Sequence, residues 1–229
     1  MMYDVIIFPF NKKRYIDFIK QLKKICVIEK KDILFPCVKI KVLLKKGVPS
    51  TELVDELCKR FYDIVISIEG KGLVEEFANR VFKNNILISV AESCTGGLLS
   101  HLLTSIPGSS SYFLGGVVSY SNDVKKSLLN IPDLVLQRFG AVHLVTAYLM
   151  AKNVKQIFGS HLSISTTGIA GPGGGSEIKP VGTICIGICY KDFSFAYQIC
   201  EDHNNRELNK IYFAYLAINY ARITLLRGL

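Results

Sequence analysis

Residues 86–103, ILISVAESCTGGLLSHLL, leave a chain few ways to fold. Ile86, Leu87, Ile88 and Val90 form an apolar run of the length and composition of a buried strand. The run stops at Ala91-Glu92-Ser93-Cys94-Thr95-Gly96-Gly97, and Leu98, Leu99, Leu102 and Leu103 then recur at helical spacing. The segment predicts a strand that turns into a helix, with Ser93 at the corner. Such a corner presents a hydroxyl to a cleft, beside backbone N–H groups of the helix start. Small residues there let a substrate approach the chain closely. The same geometry exposes nucleophilic serines in hydrolases of unrelated sequence. Taken alone, Ser93 still reads first as a helix cap.

The rest of the chain supplies strands and helices in alternation. Residues 2–9 read as a short strand and 11–24 as an amphipathic helix with Tyr15, Phe18, Ile19 and Leu22 on one face. KKDI reads as a charged link, and Val38, Ile40 and Val42 alternate with Lys39 and Lys41 as in a half-exposed strand. A helix with Leu53, Leu57 and Phe61 inward and a strand over YDIVISIEG complete a small β-α-β unit over about residues 33–70. Leu73–Phe82 is a helix. After the corner come a strand (FLGGVVSY), two short helices, a long helix from Leu144 to Phe158 ended by Gly159, and a strand (HLSISTT). A glycine- and proline-rich loop, a hairpin across Lys191-Asp192 and a final helix from 204 to 226 follow. The expected class is α/β with a mixed sheet, preceded by the small βαβ unit. The expected division is 1–72 and 73–229.

Composition excludes several classes. No apolar run approaches the ~20 residues of a membrane span. The first residues read as a strand and not as a signal peptide, so the expected compartment is the cytoplasm. The seven cysteines include no CxxC pair, and the four histidines form no HxxxH or HExxH set; reduced core thiols and no metal site are expected. The formal net charge of +9 divides into +6 for residues 1–85 and +3 for 86–229. A basic N-terminal part is compatible with a polyanion partner, but its lysines are interleaved with acids, as on a solvated face.

A serine nucleophile needs a base, and no histidine falls in a triad pattern. Lys125, on the first turn of the helix after Tyr120-Ser121-Asn122, can serve if it is partly desolvated. It reads equally as a surface lysine like Lys126. The loop Thr167-Gly168-Ile169-Ala170-Gly171-Pro172-Gly173-Gly174-Gly175 offers unhindered N–H groups to a phosphate or carboxylate. It has neither GK[ST] nor GxGxxG spacing, so neither a P-loop nor a dinucleotide fold is supported.

Read together, AESCTGG (91–97), PGSSSYFLGGVVSYSNDVKKSLL (107–129), FGAV (139–142) and TTGIAGPGGG with KPVGT (166–175 and 179–183) resemble the C-terminal domain of the CinA (competence/damage-inducible protein A) family, the nicotinamide-nucleotide amidases. The resemblance covers about residues 73–229. It implies a serine amidase of the cytoplasm that converts nicotinamide mononucleotide to nicotinic acid mononucleotide and ammonia, without metal or organic cofactor and usually as a dimer. Ser93 matches the nucleophile, Lys125 the proposed general base, directly or through Tyr120, and Tyr120 the tyrosine beside it. Thr95 and Gly96 are the expected oxyanion donors. Thr167, Gly168, Gly171 and Gly173 are candidates to hold the ribose phosphate, with Arg206 as a further substrate contact. Two departures bear on activity: His143 stands where the family has serine after FGAV, and Asn204-Asn205-Arg206-Glu207-Leu208-Asn209 replaces a G-D-R-x-x-(V/I)-R pattern, with Asn209 set against its second arginine. Residues 33–70 resemble the family's small, KH-like linker domain, and Tyr3–Lys24 would be a remnant of its larger nucleotide-binding domain. Two other readings stay open: a decayed nucleotide-binding module, and a competence factor that binds nucleic acid through the basic N-terminal part.

Overall fold

The computed structural model describes residues 1–54, 57 and 59–228, apart from the side chains of Glu52 and Val54. Cys58, counted above among the thiols, lies outside the described residues. The chain forms two compact units, residues 1–77 and 78–229.

In the first unit β1 (Met2–Ile7), α1 (Lys12–Ile25), β2 (Cys26–Leu34), β3 (Cys37–Leu44), α2 (Ser50–Val54) and β4 (Val65–Ser67) follow in order. The sheet order is β2-β3-β1-β4, and every neighbouring pair is antiparallel. This is a β-α-β-β-α-β arrangement of split βαβ type. The expected three-element βαβ unit over 33–70 is therefore incomplete: β1 lies in the middle of the same sheet, and the stretch read as a charged link is the edge strand β2. Asn11 caps α1 by accepting the Arg14 N–H at 3.0 Å. Alternation in β3 sends Val38, Ile40 and Val42 into a core with Val5, Ile7, Phe18, Leu22, Leu53, Leu57 and Phe61.

α3 (Leu73–Lys83) leads into the second unit. There β5 (Ile88–Glu92), α4 (Leu98–Thr104), β6 (Phe113–Val118), α5 (Asn122–Leu129), α6 (Asp133–Phe139), α7 (Leu144–Phe158), β7 (Leu162–Gly168), β8 (Thr183–Tyr190), β9 (Phe193–Cys200) and α8 (Arg206–Leu226) build one five-stranded sheet of order β6-β5-β7-β8-β9. β6, β5 and β7 are parallel; β8 adds antiparallel to β7, and β9 antiparallel to β8. The result is the mixed α/β sheet expected from the sequence.

Strand parity assigns the two faces. Ser89, Ser163 and Ser165 point at α7, and their hydroxyls donate to the carbonyls of Val154, Ala151 and Ala147 at 3.3, 2.7 and 2.6 Å. Thr166 points the other way, to the α4 side, where its hydroxyl pairs with that of Thr95 at 2.7 Å. The chain runs from β5 through α4 to β6 on one side of β5, then through α5, α6 and α7 to β7 on the other. The carboxyl ends of β5, β6 and β7 thus meet where the winding reverses, the usual position of a ligand crevice in an open α/β sheet.

Candidate active site

Three strand ends build the crevice. Ser93 follows the last residue of β5 and is fixed by donation of its N–H to the Thr166 carbonyl at 2.9 Å. Ser119 follows β6, and its N–H donates to the Glu92 carbonyl at 2.7 Å. Thr167 and Gly168 close β7.

Glu92 organises the corner. Its buried carboxylate accepts five hydrogen bonds: from Thr95 Oγ1, Gly97 N and Leu99 N through Oε2 at 2.6, 2.9 and 3.0 Å, and from Ser100 N and Oγ through Oε1 at 2.8 and 2.6 Å. Glu92 therefore satisfies the orphan donors of α4. This corrects two expectations. Ser93 is not the cap, since α4 begins at Leu98 behind Gly97, and the N–H groups of Gly97, Leu99 and Ser100 go to Glu92 and that of Leu98 to the Thr95 carbonyl. Nor are those N–H groups free for an oxyanion. Gly96 N is also engaged, by the Ser93 carbonyl at 3.2 Å, and the Thr95 hydroxyl is bonded to Glu92 and Thr166. Sequence reasoning passed over Glu92; a carboxylate at a strand end, followed by threonine at the third position and then Gly-Gly, is the signal that marks it.

Lys125 reaches this corner from α5, whose N-cap Ser121 accepts the Val124 N–H. It is 1% exposed, which excludes the surface-lysine alternative. Its Nζ donates to Ser93 Oγ at 3.0 Å, to the Ser119 carbonyl at 2.7 Å and to the Tyr120 carbonyl at 3.4 Å. Burial lowers its pKa from the usual lysine value, opposed only by the weaker pull of Cys94. Cys94, beside Ser93, is also buried, and its thiol is pushed up to about 12, chiefly by desolvation. It stays a neutral thiol, so the hydroxyl facing Lys125 is the group with a base at hand.

Tyr120 does not stand between Ser93 and Lys125. Its side chain is exposed and its phenol oxygen accepts from Arg206 Nη2 at 2.8 Å; only its backbone carbonyl meets Lys125. Arg206 Nη1 donates to the Gly171 carbonyl at 2.6 Å and so ties the glycine-rich loop to Tyr120. Ser93, Lys125, Tyr120, Thr167, Gly168, Gly171, Gly173 and Arg206 line one cleft of about 250 Å³. Thr95 and Gly96 do not line it; they open on a separate groove of about 780 Å³.

Several loop residues have packing work. The Thr167 hydroxyl donates to the Ala141 carbonyl at 2.8 Å. A Cβ on Gly168 would lie 2.6 Å from the Thr183 carbonyl oxygen, and one on Gly171 2.6 Å from a Val181 methyl, whereas Gly173 faces open space. His143 is the N-cap of α7: its Nδ1 accepts the Val145 N–H at 3.1 Å and its ring stacks on Phe139. Desolvation, aided by Lys179, lowers its pKa and favours the neutral ring that this bond needs. The departure from serine is thus a change of capping group. Asn209 is buried, donating to the Ala170 carbonyl and Asp202 and accepting from His203 N. The second basic position of the arginine pattern is in fact Lys210, one residue on and one turn from Arg206.

The profile of the CinA C-terminal domain matches residues 71–225. The chain belongs to the CinA family. A CinA-like protein of Chlorobium limicola is 46% identical over 158 residues, 65% of this chain and 37% of that protein. A CinA-like protein of Desulfosudis oleivorans is 38% identical over 200 residues, 85% of this chain and 48% of that one. The chain spans less than half the length of these relatives. Among solved structures, the competence/damage inducible protein CihA of Agrobacterium tumefaciens aligns with a TM-score of 0.63 at 33% identity, covering 69% of this chain and 97% of that one. A CinA superfamily protein of Escherichia coli aligns with a TM-score of 0.61 at 26% identity, covering 69% and 88%.

Proposed function

We propose that the chain is a serine amidase that hydrolyses the carboxamide of nicotinamide mononucleotide to nicotinic acid mononucleotide and ammonia. The observation that carries this reading is the 3.0 Å bond between Lys125 Nζ and Ser93 Oγ, made in a buried setting that lowers the lysine pKa. The substrate comes from the resemblance to the amidases; the dyad itself supports amide hydrolysis.

Neutral Lys125 accepts the Ser93 proton as Oγ attacks the amide carbon. With the N–H groups from Gly96 to Ser100 engaged within the corner and Thr95 outside the Ser93 cleft, the N–H of Cys94, which lines that cleft, is the donor assigned to the oxyanion. The resulting lysine ammonium returns its proton to the departing nitrogen, which leaves as ammonia. Lys125, neutral again, then takes a proton from the water that attacks the acyl-enzyme and returns it to Ser93 Oγ as the ester bond breaks. The carbonyls of Ser119 and Tyr120 hold the amine in line throughout.

Ammonia release from nicotinamide mononucleotide by wild type, Ser93→Ala and Lys125→Ala tests this. Each variant is expected to lose on the order of a thousandfold or more in kcat, with no further loss in the double variant, because the two groups act as a unit. An inactive wild type, or full rate in Ser93→Ala, sinks the mechanism. Two arguments for the decayed-module reading weaken, since His143 caps a helix and Asn209 holds a loop; the shortened N-terminal part is untouched by either.

A further inference from the structure

The net charge of +9 is confined to one part of the molecule. Residues 11–46 hold twelve Lys+Arg against three Asp+Glu, and the rest of the chain holds sixteen of each. The excess therefore sits on α1, β2 and β3 and the turns between them. Over residues 1–85 as a whole the lysines are interleaved with acids; within these three elements they are not.

α1 concentrates the charge. At 3.6 residues per turn, Lys12, Lys13, Lys20, Lys23 and Lys24 fall on one arc of about 120°, opposite the buried Phe18 and Leu22. All five are exposed, and among the described residues none has an ion pair. The arc has two edges, Lys12 and Lys23 on one and Lys13, Lys20 and Lys24 on the other, with the exposed Ile16 between them. Lys45 Nζ donates to the Lys23 and Lys24 carbonyls at 2.7 and 3.0 Å and adds a cation at the end of the stripe. The three acids are accounted for. Asp17 flanks the arc, 3.8 Å from Arg60 and accepting from Gln21 Nε2 at 3.4 Å; Asp32 pairs with Lys30 at 2.9 Å; Glu29 lies on the edge strand β2.

Much of this arrangement works against the isolated helix. Lys23 and Lys24, in the last turn, suit the helix dipole, but Lys12 and Lys13 stand at its positive end with no acid in the first turn. Lys20 faces Lys23 and Lys24 at three- and four-residue spacing, where like charges repel. α3 has the opposite pattern, with Glu75 and Glu76 in its first turn and Arg80 and Lys83 in its last. A polyanion lying along α1 would turn these unfavourable charges into contacts.

The make-up of the arc selects the polyanion. It presents no aromatic ring on which an unpaired base could stack, which argues against a single strand. Its one apolar residue, Ile16, is too little to seat a helix in a bilayer. An exposed helix about 21 Å long and 10–12 Å across matches the ~12 Å major groove of B-form DNA, and not the deep, narrow groove of an RNA duplex.

We propose that the lysine face of α1 is a docking surface for double-stranded DNA, its two lysine edges on the phosphates of the two groove walls and Ile16 towards the groove floor. The arc carries no Arg, Asn or Gln to pair with a base edge, so binding is indifferent to sequence. The proposal is independent of the amidase reading of Ser93.

The test is fluorescence anisotropy of a labelled random-sequence DNA duplex with the full chain, titrated between about 50 and 200 mM salt. The logarithm of the wild-type binding constant should fall against the logarithm of salt with a slope of about −4.5, ~0.9 for each of the five lysines. The triple variant Lys13→Gln, Lys20→Gln, Lys24→Gln should bind on the order of a hundredfold more weakly or worse at the low-salt end, with a slope of about −2. The triple variant Lys83→Gln, Lys152→Gln, Lys191→Gln, with the same change of net charge in the second unit, should keep the wild-type slope. Acetylation of wild type with and without the duplex needs no variant to fold: Lys13, Lys20 and Lys24 should be protected, and Lys83 and Lys152 should not. No binding at the low-salt end, equal slopes for the two variants, or equal protection of all these lysines overturns the assignment. So does tighter binding of the matching single strand, of an RNA duplex, or of vesicles of phosphatidylcholine with phosphatidylserine.

Discussion

At the scale of single residues, the proposed mechanism depends on keeping one lysine unprotonated. Lys125 has a folded pKa below its ordinary value because burial disfavours the ammonium. In the proposed mechanism the neutral form is the base, so kcat/KM should rise with pH through that lowered pKa and level off before the ordinary lysine range near 10.5. A rate profile that climbs only above pH 10.5, or no basic limb at all, would contradict the assignment. The same shift bears on stability, with a definite sign. The unfolded chain holds this proton more tightly than the folded one, so Lys125 penalises folding fully below its folded pKa, and the penalty is relieved as pH rises towards 10.5. Lys125→Met should therefore be more stable than wild type at neutral pH while inactive, as measured by denaturant unfolding. Ser93 and Lys125 were legible because a strand-to-helix corner and a helix start have local sequence signals. Glu92 was not, because its five hydrogen bonds, from four residues, reveal themselves only when the chain has turned back over the carboxylate.

At the scale of elements, the signals that worked were periodic, and those that failed were edge effects. Helices such as α1 and α7 declare themselves through one apolar face. β2 does not: CVIEKKDIL lies at a sheet edge, its pairing slips between Ile28 and Lys30, and Ile33 and Leu34 are exposed, so the alternation that marks a half-buried strand is absent. The contact of α7 with the sheet was equally hidden, since serines at 89, 163 and 165 lie in segments that read as strands, and nothing local shows that their hydroxyls donate to helix carbonyls. That contact is close. A Cβ on Gly187 would lie 2.3 Å from the Ala147 carbonyl oxygen and 2.6 Å from Ser165 Oγ, while Gly187 N donates to that same hydroxyl at 3.1 Å. Gly187→Ala should force α7 off β8 and destabilise the second unit by about 1–3 kcal/mol or more, the usual range for overpacking a core. Thermal unfolding at a wild-type midpoint would show that this approach is not required. Neutral substitution is expected instead at Gly173, where space is open.

At the scale of the whole molecule, strand order was the part the sequence could not supply. Which strands pair, and that β1 lies between β3 and β4 while β5 is flanked by β6 and β7, depends on contacts between segments far apart in the chain. The hairpin of β8 and β9 was legible because its turn, with Lys191 at a φ of 53°, is local. The same separation of local from distant contacts suggests how the two units divide the work. The core of the first unit, from Val5 and Phe18 to Phe61 and Val65, is made wholly of residues before 78. Every residue that lines the Ser93 cleft and the groove beside Thr95 and Gly96 comes after it. Phe18 is fully buried against Phe61, ring edge to face, at 5.5 Å between centroids. Phe18→Ala should cost the first unit about 3–5 kcal/mol, as large aromatic truncations do, because the cavity cannot fully close. Hydrogen exchange should then lose protection in β1 and β3 and keep it in β5 and β7, while ammonia release stays within twofold of wild type. A fall in turnover matching the lost protection would mean that the first unit helps shape the site, and the division of labour argued from the separate cores would have to be abandoned.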